Sequence, residues 1–369
     1  MQEKLEGATK VHWTDARHAL LDWYKAHHRP LPWRLEPDPY RIWLCEIIMQ
    51  QTRIDQGMRY WERFVTTWGD VRALAESPIE EVLKAWQGLG YYSRARNLHK
   101  AANIIAFDMA GEFPVDAAGW RSLPGVGPYT AAAIASICYR EPVAAVDGNV
   151  LRVVSRFLDI QDPIDRPLGR KQIEQFASHW IHPTDAGTHN QALMELGALV
   201  CKPSSPDCGG CPLASHCLSA QNAPGNTPIP PVKQGKTKVK SVNLVFHVVT
   251  NGTHVWMQQR APQGIWGGLW EFPSREVDRF DGSALTLPTD TNVSADNVLS
   301  GVWWGERFEH ILSHRRLTCQ FAIWHIASQI TPAGGEWLTW DEAEAKARPR
   351  AIDRFWRGLE KSCLELGTP

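Results

Sequence analysis

The chain has 369 residues, 43% of them hydrophobic, which is enough for two separate cores. No stretch approaches the roughly 20 consecutive apolar residues of a membrane-spanning helix. With no secretory leader ahead of the first helix, a cytoplasmic setting is expected, nucleoid-associated if the source is prokaryotic. A formal net charge of −1 excludes the strongly basic profile common among nucleic-acid-binding domains. Any affinity for DNA must come from local patches such as Arg94, Arg96 and Lys100, or Lys233, Lys236, Lys238 and Lys240, and a solvated face is the simpler reading of the lysine run.

Taken along the chain, the first half reads as helical. Residues 11–28 carry apolar side chains at near-helical spacing, as do 79–86 and 97–109, with loops at Gly69-Asp70 and Gly111-Glu112-Phe113-Pro114. Between these lie Leu31-Pro32-Trp33-Arg34, Trp43-Leu44-Cys45-Glu46-Ile47-Ile48-Met49-Gln50-Gln51-Thr52 and Gln87-Gly88-Leu89-Gly90-Tyr91-Tyr92-Ser93-Arg94. Eighteen tryptophans are many for this length; most serve a core, while Trp33 could also stack on a base. Glu46 stands inside an apolar run. A carboxylate there is costly if ionised and unpaired, so burial should raise its pKa and make it a general-acid candidate. The alternative is a glutamate on the solvent stripe of an amphipathic helix.

Leu123-Pro124-Gly125-Val126-Gly127-Pro128-Tyr129-Thr130 is a glycine hairpin opening onto an alanine-rich helix. Gly125 and Gly127 are expected at positive φ and Pro128 in the first helical turn, so that amide N–H groups point outward and favour a phosphate. A plain turn between packed helices fits the same spacing. An apolar run then delivers Asp147 just before Gly148-Asn149 and the helical run 150–157, where it could accept amide hydrogen bonds and stay ionised. An ordinary capping aspartate would look the same, and capping is compatible with catalysis. One neutral and one negative carboxyl group are what glycosidic cleavage requires.

Residues 193–200 read as the end of a helix, followed by Cys201, Cys208, Cys211 and Cys217 in C-x6-C-x2-C-x5-C spacing. Four cysteines so close suit a metal centre, with an iron-sulfur cluster favoured. Structural zinc and disulfides are the alternatives; the long first gap counts against zinc, and the scatter of Cys45, Cys138, Cys319 and Cys363 counts against disulfides. A proline-rich linker at 221–240 separates an all-helical first domain, 1–220, from an α+β second domain, 241–369. In the second, Val242, Leu244, Phe246 and Val248 alternate, Asn251-Gly252 signals a hairpin and Val255-Trp256-Met257 returns. Residues 317–326 and 336–340 are further strand candidates, and Asp341 could cap a short helix.

Hairpin, aspartate and cysteine loop together resemble the endonuclease III superfamily of helix-hairpin-helix DNA glycosylases over about residues 10–220. The tryptophan, glutamine and tyrosine motifs quoted above are similar to those of the adenine DNA glycosylase (MutY-type) family. The resemblance implies a [4Fe-4S] cluster on Cys201, Cys208, Cys211 and Cys217, and a catalytic group of Glu46, Asp147, Tyr129 and Asn149. It further implies adenine contacts from Gln191, Trp33 and Arg34, although Gln191 could equally be an exposed helix residue. DNA contacts would come from Gln51, Thr52, Leu89, Tyr91, Gly125 and Gly127. Lyase-competent relatives carry lysine where Tyr129 stands, so a monofunctional glycosylase, acting as a monomer, is expected.

Gly268-Leu269-Trp270-Glu271-Phe272-Pro273 resembles a turn of Nudix (MutT-type) hydrolases, but no glutamate-rich helix follows, so hydrolysis is not expected. The family's lesion-reading loop usually carries Phe-Ser-His, and here Leu312-Ser313-His314 keeps the polar pair while losing the aromatic. The implied substrate is duplex DNA with adenine opposite 8-oxoguanine or guanine. A glycosylase-lyase of the endonuclease III kind, a non-catalytic iron-sulfur DNA-binding protein and a nucleotide pyrophosphohydrolase are the competing readings.

Overall fold

The computed structural model describes residues 10–35, 37–222, 229–235, 239–281, 285–286, 297–327 and 334–362. Lys236, Lys238, Cys363 and much of the expected linker lie outside them. The chain forms two compact units, Met1–Ala75 with Lys100–Lys236, and Glu76–His99 with Thr237–Pro369. No helix among the described residues is long and apolar enough to cross a membrane.

The helices in chain order are α1 (Lys10–His27), α2 (Pro32–Leu35), α3 (Pro39–Ile48), α4 (Ile54–Thr67), α5 (Val71–Glu76), α6 (Ile79–Trp86), α7 (Ser93–Asn103), α8 (Ala117–Arg121), α9 (Pro128–Tyr139), α10 (Gly148–Phe157), α11 (Pro167–Trp180), α12 (Ala186–Leu199) and α13 (Leu218–Gln221). The stretch read as a helix over 97–109 is instead the end of α7 followed by a π-helical turn, Ile104–Asp108. Alternating apolar positions of α1, α10, α11 and α12 meet in one core that contains Leu20, Val154, Phe176, Trp180 and Leu196. Cys201, Cys211 and Cys217 pack against its edge.

In the second unit a seven-stranded sheet is built from β1 (Lys240–Thr250), β2 (His254–Gln259), β3 (Trp270–Glu271), β4 (Ser274–Val277), β5 (Val298–Ile311), β6 (Arg315–Ile326) and β7 (Gly335–Thr339). The expected hairpin is present, with Gly252 at φ 96° between β1 and β2. The half-buried alternation expected for β1 is not observed. From Leu244 onward it is buried on almost every residue, because it pairs in parallel with β6 along its whole length and has side chains packed on both faces. β5 escaped the sequence reading because most of its side chains are exposed, leaving no clean alternation. β4, which the sequence reading did not assign, pairs with β1 from Asn243 to Phe246. The helix α14 (Trp340–Ala345) is capped by Thr339 in a reciprocal capping box with Glu342, not by Asp341.

One face of the sheet is closed by aromatic packing. Phe272 stacks on Trp356 at 5.3 Å, and Phe355 of α15 (Arg350–Ser362) meets Phe321 at 5.2 Å and Trp304 at 4.7 Å. Phe355 is fully buried. Truncating it removes the centre of this cluster, so Phe355→Ala should cost about 3–5 kcal/mol. Urea unfolding followed by near-UV circular dichroism checks it; a midpoint at the wild-type value would disprove the ascribed packing.

Candidate active site

The site grows from three helix ends in the first unit. Asp38 accepts the Arg41 N–H at 2.8 Å and Pro39 occupies the first turn, which starts α3. Seven of the ten residues of α3 are buried, and Glu46 is half-buried among them. Desolvation pushes the Glu46 carboxyl up to about 7; a hydrogen bond with Tyr129 and the charge of Arg34 oppose this, while the charge of Asp147 adds to it. Burial and the carboxylates of Glu46 and Asp147 in turn keep the Tyr129 hydroxyl protonated. Tyr129 also lies 3.1 Å from the Met194 sulfur.

Tyr129 stands in the first turn of α9, at the end of the glycine hairpin. Gly125 has φ 79°, as expected, but Gly127 does not: at φ −86° and ψ 175° it is an extended helix cap any residue could adopt. A side-chain carbon at 127 would meet nothing within 4 Å, so packing against the described residues does not require glycine there.

Asp147 caps α10. One carboxylate oxygen accepts the Val150 N–H at 2.7 Å and the other accepts the Asn149 amide, also at 2.7 Å. Burial raises its pKa, while the expected amide bonds from Val150 and Asn149 and the charge of Arg152 favour the ionised form. Asn149 is held in turn by Arg152 at 2.8 Å, and the same guanidinium donates to the carbonyls of Gly197 at 2.7 Å and Cys201 at 2.8 Å. Gly197 is required for that approach, since a methyl group there would come within 2.6 Å of the Asn149 side chain. A continuous hydrogen-bond chain therefore runs from the cysteine loop to the catalytic carboxylate candidate.

Cys201, Cys208 and Cys217 are close enough to Cys211 to act on its thiol electrostatically. Burial pushes the Cys211 thiol up to about 11; a backbone bond from Leu213 opposes this, and the sulfurs of Cys201, Cys217 and Cys208 reinforce it. Thiolates of this spacing are the donor type an iron-sulfur cluster takes, although among the described residues no group of three or more ligating side chains stands at metal-holding distance. Arg156, 6% exposed, braces the loop through the Lys202 carbonyl at 2.7 Å and points at the Cys201 sulfur at 3.4 Å.

Arg29 and Glu195 were missed by the sequence reading. Burial alone would push the Glu195 carboxyl up, but bonds from Arg29 and Arg34, each 2.8 Å, outweigh it and hold it at about 2. The usable signal was the one applied to Glu46, an acid within an apolar helix. Arg34 lies over the Tyr24 ring at 5.5 Å, and its buried Nε has no partner. Tyr24 donates to the Gln191 carbonyl oxygen at 3.3 Å, which leaves the Gln191 NH2 group without a partner among the described residues. Trp33 is buried edge-on against Trp61 at 5.2 Å.

Other expected positions fall elsewhere. Gln51 is exposed at φ 56°, with Thr52 beside it bonding back to the Gln50 carbonyl. In the second unit Tyr91 is 46% exposed at φ 49°, but Leu89 is buried in the core. Arg94 is also buried, over Trp86 at 5.1 Å, and Arg96 donates to the carbonyls of Gly267 and Pro262, so neither forms an open basic patch. Ser313 and His314 are exposed on the β5–β6 turn, 3.2 Å from each other. A cavity of about 410 Å³ in this unit is lined by Arg260, Trp266, Glu271, Glu276 and Arg315. Its deepest acid, Glu271, is taken up by a two-pronged bond from Arg260, so the cavity offers no cluster of free carboxylates for Mg²⁺.

Comparison with known proteins agrees with this architecture. Residues 44–181 match the profile of the HhH-GPD superfamily of base excision DNA repair proteins, 201–217 that of the iron-sulfur binding domain of endonuclease III, and 244–358 that of the NUDIX domain. These features define a helix-hairpin-helix DNA glycosylase, a hydrolase of N-glycosyl bonds that carries a [4Fe-4S] cluster on its cysteine loop. The adenine DNA glycosylase of Rattus norvegicus is 31% identical, covering 94% of this chain and 78% of that protein, and one from Buchnera aphidicola is 32% identical over 85% and 86%. The chain belongs to the adenine DNA glycosylase family. Among solved structures, a thermostable thymine-DNA glycosylase matches with a TM-score of 0.54 and 25% identity over 59% of this chain and 100% of that one. An endonuclease III in a non-covalent DNA complex shares the fold, with a TM-score of 0.50 at 22% identity over 58% of this chain and 98% of its own.

Because the Glu195 carboxyl is depressed from its ordinary range near 4.5 to about 2, its contribution to stability is fully present above about 4.5 and lost as pH falls through about 2. That shift corresponds to about 3 kcal/mol. Glu195→Ala should lower stability at pH 7 by about 3–5 kcal/mol, since it leaves two cations unpaired. It should also flatten the acid limb of the stability curve, measured by urea unfolding between pH 2.5 and 7. A variant with the wild-type acid limb would contradict this account.

Proposed function

We propose that this chain excises adenine mispaired with 8-oxoguanine, and with guanine, from duplex DNA, leaving an abasic site without cutting the strand. The observation that carries the reading is a carboxyl group held at about 7, Glu46, electrostatically coupled to a second carboxyl, Asp147, that is bonded for the ionised state. Neutral Glu46 gives its proton to N7 of the extruded adenine. The bond from C1′ to N9 then breaks, its electron pair goes to the base, and the sugar becomes an oxocarbenium-like cation. Asp147 stabilises that cation until water adds at C1′. Tyr129, which donates to Glu46, is not an amine and forms no imine with C1′.

Substrate recognition follows from the same groups. The unpaired Gln191 NH2 and the Arg34 Nε are donors suited to the ring nitrogens of adenine. Gln51 and Tyr91, each a non-glycine residue held outward in a left-handed turn, are suited to enter the base stack. Ser313 and His314 offer hydrogen bonds to the lesion base. The name shared by the relatives supports the choice of adenine.

The test is purified protein with duplexes carrying adenine opposite 8-oxoguanine, guanine, cytosine or thymine, analysed with and without alkali. Expected is alkali-dependent scission, fastest opposite 8-oxoguanine, with no borohydride-trapped complex. Scission without alkali, together with trapping, would instead establish a lyase. His314→Ala should narrow the preference for 8-oxoguanine over guanine; an unchanged ratio would remove His314 from lesion reading.

Because Glu46 acts protonated, the single-turnover rate should fall about tenfold per pH unit above about 7, while the need for ionised Asp147 gives a separate loss at acid pH. Glu46→Gln should lose roughly 10²–10⁴ in rate. A flat profile to pH 9 would assign the proton to another group.

A further inference from the structure

The exposed Tyr91 sits on a turn with an internal cost. Gly88, Gly90 and Tyr91 all have positive φ, at 99°, 77° and 49°, and for tyrosine that left-handed conformation is strained. Such a turn persists only where its surroundings hold it. Within it, the Trp86 ring N–H and Arg94 both donate to the Gly90 carbonyl, at 3.0 and 3.3 Å, and the Gly88 N–H reaches the Tyr92 hydroxyl at 3.3 Å.

The remaining ties come from the C-terminal part of the same unit. The Gln87 amide donates to Asp353 at 2.9 Å, and the same carboxylate oxygen accepts from Arg348 Nε at 2.9 Å. The Arg348 backbone engages both ends of the turn, its N–H donating to the Gln87 side chain at 3.4 Å and its carbonyl accepting from the Tyr92 hydroxyl at 3.4 Å. Arg348 itself is 5% exposed, donates to the Glu344 carbonyl at 2.6 Å and lies 4.3 Å over the Trp356 ring. Lys84, one turn earlier on α6, donates to the Glu344 carbonyl at 2.6 Å.

We propose that Arg348, Asp353 and Gln87 form a positioning clamp that sets the strained turn carrying Tyr91, and so lets the C-terminal sheet unit govern base extrusion. The proposal rests on the reading that Tyr91 enters the base stack. These three are positioning residues: they act on DNA only through Tyr91. A guanidinium buried against an indole and tied to one carboxylate cannot move independently of α15, so the two ends of the turn are referenced to the sheet unit and not to solvent.

The experiment is a double-mutant cycle on the full chain. Base extrusion is read from the fluorescence of 2-aminopurine placed at the target adenine, and excision from the single-turnover rate at saturating protein. Asp353→Ala and Tyr91→Ala should each lower both readouts by about fivefold to tenfold, and the double variant should fall no further than Tyr91→Ala alone. Gln87→Ala, which leaves the Arg348–Asp353 pair intact, should show a smaller loss that likewise disappears when Tyr91 is alanine. A merely structural role would instead give losses that multiply in the double variants and track the thermal midpoint. Multiplying losses, or wild-type extrusion in both Asp353→Ala and Gln87→Ala, would overturn the clamp. Wild-type extrusion in Tyr91→Ala would overturn the underlying reading of Tyr91.

Discussion

Taking a carboxylate out of water costs several kcal/mol unless its charge is paired or its proton retained, and the helical unit meets that cost in three ways around one site. Glu195 is paired with two guanidinium groups and stays an anion at about 2. Glu46 has only the more distant charge of Arg34 and a hydroxyl beside it, and keeps its proton to about 7. Asp147 lies between, raised by burial but bonded by a helix N-terminus and an amide that both favour the anion. The site depends on this ordering. Arg34 bonds to Glu195 and acts on Glu46 only through its charge.

The anion is the more demanding of the two states to maintain, and the path from Asp147 to the cysteine loop shows how it is kept. Asn149 can donate to Asp147 only because its own oxygen is fixed by Arg152, and Arg152 is aimed by the Gly197 and Cys201 carbonyls. When the cluster is bound, its iron neutralises the four thiolates and ligation closes the loop. The loop's conformation thus enters the orientation of Asn149 through the bonds of Arg152.

Much of this was legible in the sequence where a residue type violated its surroundings. Glu46 stood out as an acid in an apolar run, Asp147 as an acid before a glycine and a helix, and the cysteines by spacing. Glu195 carried the same signature in Leu193-Met194-Glu195-Leu196, but its partners, Arg29 and Arg34, lie more than 160 residues away, and nothing local distinguishes a paired buried acid from a protonated one. Arg94 and Arg96 misled in the opposite sense. Their spacing suggests an open basic face, whereas the carbonyl groups that capture them belong to turns whose geometry periodicity does not encode. β5 was missed because an exposed strand has no apolar alternation, and Gly127 because a helix cap and a left-handed turn call for the same residue.

The sheet unit shows what replaces a lost function in a retained framework. Where hydrolases of this fold need a helix of glutamates, this chain places β4, a strand paired to β1, and its deepest acid is taken up by Arg260. The exposed Ser313-His314 turn is one surface of this unit. The turn from Gln87 to Tyr92 is another; it lies within the segment matched by the glycosylase profile, yet its polar ends close on Arg348 and Asp353. A turn assigned by sequence to the helical domain is thereby held by a helix of the sheet-containing unit to which it belongs.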